Sequence, residues 1–300
     1  MHPPPHPNAG SSSAAVDALD VALLQRAAAD VGLGDVLTPA AVASLEHYAA
    51  EMVAWNQRVN LTRITAPGEI AVLHFVDSLV CLRGIGAAGA ADQPLACVDV
   101  GAGAGLPGIV LQLVRPAWHV TLVEAVGKKA AFLAHAVGVL GLDRCTVVHA
   151  RAEDVAHQPG HRAAYDVAVA RAVAALPVLA EYLLPLLRVG GRMLALKGEA
   201  VDAEVAALAP ALAILGGRLV DVMPYRLPGL ERVRHLVIAE KVARTPNPFP
   251  RRAGLPAQAP LTAGWRSPAT KSARSDRRSS RRPRDGRPAS AGKGIDGEPR

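Results

Sequence analysis

Residues 98–108, VDVGAGAGLPG, limit the possible folds of this chain more than any other stretch. An apolar run ends at Asp99, glycines follow at Gly101, Gly103 and Gly105, and Pro107 opens a helical pattern. Glycines at such a spacing let the backbone turn with positive φ and let a ligand lie against it without a Cβ clash. A buried strand that closes on such a loop and feeds a helix is the opening unit of a doubly wound sheet. That architecture binds its ligand in the crevice beyond the carboxyl ends of the strands.

The rest of the chain repeats the unit. LACVDV (95–100), HVTLVE (119–124), RCTVVHA (144–150), YDVAVA (165–170) and RMLALKG (192–198) read as strands. Between them PGIVLQLV, GKKAAFLAHAVGVLG, PVLAEYLLPLLRVGG and VDAEVAALAPALAILGG read as helices, the last three stopped by glycine. Such alternation predicts a mostly parallel sheet covered on both faces. RLVDVMPYRL and HLVIAEK, joined by PGLERVR, add an antiparallel pair. The expected fold is α/β: a Rossmann-like, doubly wound, seven-stranded sheet with one reversed strand.

Ahead of the sheet the sequence predicts helices over Ala14–Val31, from Thr38-Pro39 to Gln57, and over EIAVLHFVDSLVCL to near Gly84. The resulting division is 1–13 disordered, 14–92 a helical extension, 93–261 the sheet domain and 262–300 a disordered basic tail.

Charge is unevenly placed. The formal net charge is +7, and from residue 262 onward eleven Lys and Arg stand against four acids, leaving 22 of each sign in the rest. The high pI belongs to the tail, so any cationic surface on the folded part must come from segregated charge. Aromatics are 3% of the chain, which suits an aliphatic core and argues against a base-stacking platform. Cys81, Cys97 and Cys145 form no C-x-x-C pair, which fits a reducing cytoplasm and argues against structural zinc or other metal. The opening MHPPPHPNAGSSS has neither basic start nor apolar run, so no secretory leader and no membrane association are expected.

The glycine loop has two readings. Gly103, Gly105 and Gly108 satisfy the dinucleotide pattern G-x-G-x-x-G, with Glu124 at a suitable distance. Asp99 weighs against it, because a carboxylate two residues before the first glycine repels a pyrophosphate and can meet the ammonium of an amino-acid moiety. S-adenosyl-L-methionine carries such a moiety, and the fold is then that of the class I methyltransferases. Asp99, Gly101, Gly103, Gly105 and Leu106 would line its methionine end, and Glu124 would accept from the ribose hydroxyls. Ala152 and Glu153, after the third strand, would border the adenine, and Arg171, past the fourth, would lie beside the methyl group. A glycine turn that only packs and a helix-start acid at Glu153 remain the plain alternatives.

The fourth strand speaks to the acceptor. YDVAVARAVAAL has no Asn/Asp-Pro-Pro-aromatic loop of the kind used for exocyclic amines, and no cysteine nucleophile. Guanine N7, with an in-plane lone pair, needs neither covalent activation nor deprotonation, so positioning can supply most of the catalysis. Arg171 could hold O6 or a phosphate, and Lys197 faces the same rim.

The combination WNQRVNLTRI (55–64), HFVDSL (74–79), VDVGAGAGLPGIVLQLVRP (98–116), GKK (127–129), ARAVA (170–174), LALKGE (194–199), RHLVIAEK (234–241) and TPNPFPRRAGLPAQAPL (245–261) resembles the RsmG family, also called glucose-inhibited division protein B. The resemblance spans most of residues 45–261, and the W-N…N-L-T, H-x-x-D-S and R-A elements are more specific than the glycine loop. It implies N7 methylation of a guanine in the 530 loop of bacterial 16S ribosomal RNA, free or in the small subunit. It also implies that His74, Asp77 and Ser78 lie near the active site, with Arg171 and Lys197 serving catalysis or RNA. Glu124 departs from the family's usual Asp. A small-molecule methyltransferase of the same fold and a non-catalytic RNA-binding assembly factor are the competing classes.

Overall fold

A computed structural model of the chain describes residues 18–85, 93–171, 173–263 and 265. The segments expected to be disordered, 1–13 and 262–300, lie outside the described residues apart from residues 262, 263 and 265, as does most of the linker before the sheet. The first strand, β1 (Ala96–Val100), leads to β2 (His119–Glu124), β3 (Cys145–His149), β4 (Tyr165–Arg171), β5 (Leu187–Lys197), β6 (Gly217–Tyr225) and β7 (Arg234–Lys241). They form one sheet in the order β3-β2-β1-β4-β5-β7-β6. All neighbours up to β5 are parallel, and β7 runs antiparallel to both β5 and β6. The strand order reverses between β1 and β4, so the crevice falls at the end of β1, where the glycine loop begins.

The helices start where local chemistry allows. Helix α1 (Val21–Asp30) begins at Asp20, whose carboxylate accepts from Leu23 N at 2.9 Å, so it starts several residues later than the apolar pattern alone predicts. Helix α2 (Pro39–Asn56) has Thr38 as its cap, accepting from Ala41 N, and Pro39 at its first position. The third predicted helix is broken into α3 (Pro67–Glu69), a π-helical stretch Ile70–Val76, α4 (Asp77–Leu79) and α5 (Cys81–Ile85). π-Helical turns recur at functional sites, and this one carries His74. Side chains of α1, α2 and the π-helical stretch share one hydrophobic core with Cys97, Leu122, Val169, Leu194 and Leu236 of the sheet. The helical extension therefore covers one sheet face.

After the sheet begins, α6 (Gly108–Val114), α7 (Gly127–Val139), a short α8 (Ala152–Val155), α9 (Leu176–Leu183) and α10 (Asp202–Leu215) connect the strands, and α11 (Leu255–Gln258) closes the described part. The helix expected over PVLAEYLLPLLRVGG is shorter than its apolar run. It stops at Leu183, and β5 already starts at Leu187. Pro185 cannot continue the helix. The two glycines do not end a helix but bulge the strand: Gly190 has φ 89°, and a Cβ on Gly191 would sit 2.9 Å from Asp166 O. The register slips there, Tyr165 facing Leu187 and Val167 facing Arg192.

Lys241, the last residue of β7, is 1% exposed and has no carboxylate partner among the described residues. Its ammonium donates to Leu184 O (2.7 Å), Leu215 O (3.0 Å) and the Thr245 hydroxyl, tying the ends of α9 and α10 to the chain after β7. Burial first, then the Arg162 guanidinium, pull its pKa down to about 7. An unfolded lysine titrates near about 10.4, so between these limits the folded state binds fewer protons and stability rises with pH. Chemical denaturation from pH 7 to 10 is expected to show an upward slope in wild type that Lys241→Met lacks; equal slopes would contradict the assignment.

Candidate active site

Two adjoining cavities lie at the carboxyl edge of the sheet. One, about 260 Å³, is bounded by Val100, Gly101, Glu124, Arg151, Ala152, Glu153, Tyr182 and Ala257, among others. The other, about 420 Å³, is bounded by Thr62, His74, the loop Gly101–Ala104 with Leu106, Glu124, Lys129, Arg171 and Val173. Gly101, Glu124 and Val173 belong to both. A larger cavity of about 620 Å³ lies at the opposite sheet edge, between the start of α2 and the ends of α6 and α7, and contains none of the expected site residues.

The glycine loop is built for close approach. Gly101, Gly103 and Gly105 all have positive φ (72°, 59° and 87°). A Cβ on Gly105 would meet Ile109 at 2.4 Å and the Tyr48 hydroxyl at 2.9 Å, whereas one on Gly103 would enter open space in the larger of the two cavities. So Gly105 is required by packing and Gly103 by the space it leaves. Tyr48 of α2 donates its hydroxyl to Ala104 O and stacks on Phe75, fastening the loop from below. Glu124 anchors it from β2, its Oε2 accepting from Gly103 N and its Oε1 from Val126 N, both at 2.8 Å.

Asp99 is completely buried and lines neither cavity. Its Oδ2 accepts from Gly108 N at 2.8 Å, holding the start of α6, while Oδ1 has no hydrogen-bond partner among the described residues. Burial pushes its pKa up to about 7 against the opposing pull of Gly108 N–H and Arg171. Glu153 is also buried; its Oε1 accepts from Gly254 N at 2.8 Å, and Tyr182 lies against it. Both acids thus have structural duties that the sequence did not indicate.

The acceptor side is organised by one carboxylate. Asp77, fully buried, accepts from the Tyr225 hydroxyl (2.6 Å), from Arg171 Nη1 (3.3 Å) and from Arg234 Nη2 (3.2 Å), with Arg234 Nε 3.0 Å from its other oxygen. Arg171, 14% exposed, also donates to Leu73 O (3.1 Å) and reaches His74 Nδ1 at 3.4 Å. Its guanidinium is turned onto the helical extension more than into the cavity. Burial and then Arg171 lower the His74 pKa to about 4, so the imidazole is neutral. Because Arg171 can only donate, the ring proton is assigned to Nε2, which donates to Thr62 Oγ1 at 2.9 Å. Ser78 donates back to His74 O at 2.6 Å.

Thr62 was not singled out from the sequence. Its place is set by Asn56, whose Oδ1 accepts from Leu61 N and Thr62 N and whose Nδ2 donates to Thr62 O. That accounts physically for the W-N…N-L-T pattern. Thr62 Oγ1 accepts from both Ile64 N and His74, which leaves its own proton for the cavity. Lys129, at the start of α7, lines the same cavity and forms no ion pair among the described residues. Lys197 is turned away: its ammonium donates to Ala174 O and pairs with Glu204 at 2.7 Å, and Glu204 also accepts from Leu176 N at the start of α9.

After β7 the chain returns as a strap. Glu181 binds Arg251 through its backbone N–H and its guanidinium, and Arg162 donates to the carbonyls of Thr245, Pro246 and Phe249. The strap brings Ala257 to the wall of the smaller cavity.

The set fits S-adenosyl-L-methionine. A Cβ-free surface at Gly103, a carboxylate at Glu124 and a cation at Lys129 would complement its backbone-like, hydroxyl and carboxylate groups, and Ala152 borders the remaining space. Among the described residues no three His, Cys, Asp or Glu side chains are grouped as a metal site requires. No helix there is long and apolar enough to cross a membrane.

Comparison with known proteins bears on the same residues. The model of the GidB family, described as rRNA small subunit methyltransferase G, matches residues 41–235. The "Ribosomal RNA small subunit methyltransferase G" of Roseiflexus castenholzii is 53% identical over 214 residues, 71% of this chain and 89% of that protein. That of Pelotomaculum thermopropionicum is 44% identical over 229 residues, 76% and 94% of the two chains. Among solved structures, a geranyl diphosphate C-methyltransferase from Streptomyces coelicolor A3(2) aligns with TM-score 0.44 at 15% identity, covering 55% of this chain and 78% of that one.

Gly103→Val is expected to weaken S-adenosyl-L-methionine binding about a hundredfold or more, because a β-branched residue at positive φ and an obstructed cavity cost on the order of 1–3 kcal/mol each. Titration calorimetry on a variant with wild-type circular dichroism checks it, and unchanged affinity would remove this loop from the cofactor site.

Proposed function

Because the chain belongs to the rRNA small subunit methyltransferase G family, we propose that it transfers a methyl group from S-adenosyl-L-methionine to N7 of a guanine in the 530 loop of 16S ribosomal RNA, in the cytoplasm. The observation that carries the acceptor is the state of the two groups that could serve as base, His74 and Asp77. His74, with its pKa near 4 and both ring nitrogens engaged, cannot take a proton at neutral pH, and Asp77 is enclosed by Tyr225, Arg171 and Arg234. Neither group is available to an acceptor that first has to lose a proton, whereas guanine N7 has a lone pair ready.

Bound S-adenosyl-L-methionine supplies an electrophilic methyl group on a sulfonium. The chain's own residues orient and exclude. Tyr48 and Glu124 fix the glycine loop, and Lys129 supplies a cation beside it. The Thr62 proton, left over once its oxygen has accepted from Ile64 N and His74, is a donor suited to guanine O6. Arg171 then acts through His74, by fixing which way the Thr62 hydroxyl donates. An adenine would present an amino group where Thr62 offers a proton, so the same contact selects guanine.

The product test is chemical. N7 methylation leaves a positive charge on the ring, so small-subunit RNA treated with the enzyme and cofactor should become cleavable by borohydride and aniline at one guanine. Methylation of a ribose hydroxyl or of adenine N6 would refute the reading.

For Thr62, kcat/KM should fall about tenfold in Thr62→Val, the loss of one hydrogen bond to a desolvated oxygen, and recover in Thr62→Ser. RNA with 2-aminopurine, which lacks O6, should show the deficit in wild type and no further deficit in Thr62→Val. Additive losses would leave the N7 chemistry standing and remove Thr62 from acceptor recognition.

A further inference from the structure

At the sheet edge opposite the active site, a cavity of about 570 Å³ opens between the start of β4, the start of β5 and the strap after β7. Its wall contains Arg162, Arg188, Lys241 and Arg244, with Thr245 and Asn247, and no Asp or Glu. Asp166, outside the wall, pairs with Arg188. The other three cations have no carboxylate partner among the described residues. Arg162 spends its terminal nitrogens on the carbonyls of Ala156, Phe249, Thr245 and Pro246, and Lys241 spends its protons on Leu184 O, Leu215 O and Thr245. Neutral acceptors orient these groups and leave their charge uncompensated.

Outside its C-terminal tail the chain has equal numbers of acidic and basic residues. Overall basicity therefore does not account for four cations around one acid-free groove. We propose that this groove holds a backbone phosphate of the RNA substrate, a second contact remote from the methyl-transfer cleft. The inference rests on RNA being the substrate. Arg162 supplies fixed positive charge at the base, beside the buried Lys241 amine. Arg188 and Arg244, both exposed, and the Asn247 amide supply adaptable donors at the mouth. Fixed charge with adjustable donors suits a phosphate, which needs neutralisation and several hydrogen bonds but carries no sequence information. β4 has seven residues, so the groove lies roughly 20 Å from the cleft at about 3.3 Å per residue. An RNA engaging both sites would be held at two separated points, which fixes its orientation before the target base enters.

The test measures affinity of the full chain for a small-subunit RNA transcript as a function of potassium chloride, by filter binding or fluorescence anisotropy. Arg188→Gln/Arg244→Gln is compared with wild type and with Arg218→Gln, an exposed arginine of β6 paired to Glu240. The proposal expects a shallower salt dependence in the double variant alone. Losing the contact to one phosphate would make the wild-type advantage roughly threefold larger at about 50 mM salt than at about 200 mM. S-adenosyl-L-methionine affinity should be unchanged in all three. Arg244→Gln by itself, which removes a side chain that forms no hydrogen bond or ion pair among the described residues, gives about half the change in slope if loss of the Arg188–Asp166 pair unfolds the double variant. Parallel salt plots for wild type and both groove variants would overturn the proposal. A wild-type chain that binds no RNA would instead remove the substrate reading beneath it.

Discussion

A carboxylate with no exposure to water has to be surrounded by donors, and at Asp77 that requirement shapes the acceptor half of the molecule. Its three partners come from three strands: Arg171 ends β4, Tyr225 ends β6 and Arg234 begins β7. By meeting one acid they bring the parallel part of the sheet, its antiparallel edge and the broken helix of the extension to a common point. Arg171 is held there and from there faces His74, which in turn faces Thr62. The hydrogen-bond polarity of the cavity wall is thus inherited from an ion cluster centred on a buried acid.

The sheet was readable because its strands are buried on both faces and therefore nearly continuous in apolar residues. β1, β2 and β4 fall within a residue of where the apolar runs place them. β5 did not, because its bulge is made of glycines, and glycine after an apolar helix-like run reads as a stop. The π-helical stretch was invisible for a related reason: IAVLHFV fits a helical pattern, and nothing local distinguishes a wider turn. Sequence could identify Asp99, Glu124 and Lys197 as polar residues at strand ends, and Glu153 as one after the third strand, but not what they face. Asp99 holds Gly108 N, Glu153 holds the strap and Lys197 is taken by Glu204. Thr62 and Tyr48 were overlooked because their partners, His74 and Ala104, become neighbours only through the tertiary fold.

The glycine loop, the proposed cofactor surface, retains little freedom. Tyr48 holds it from the helical side and Glu124 from the sheet side, and Gly105 leaves no room for a side chain between them. Such a surface needs little reorganisation when a ligand arrives, which preserves binding free energy for orientation. The strap, fixed at Glu181 and Glu153, extends the same rigidity to the smaller cavity.

The order in which these parts leave the ribosome has its own consequence. Asp77 is made early, but its partners lie 94, 148 and 157 residues further along the chain. Until β7 has emerged, the carboxylate lacks Arg234, the last of its partners, and the strap that binds Glu181 and Glu153 has yet to be synthesised. A nascent chain can assemble β1, β2 and the glycine loop long before it can assemble the acceptor wall, since contacts this distant in sequence form late. The chain order therefore makes the glycine loop and its Glu124 anchor available before the last element of the Asp77 cluster.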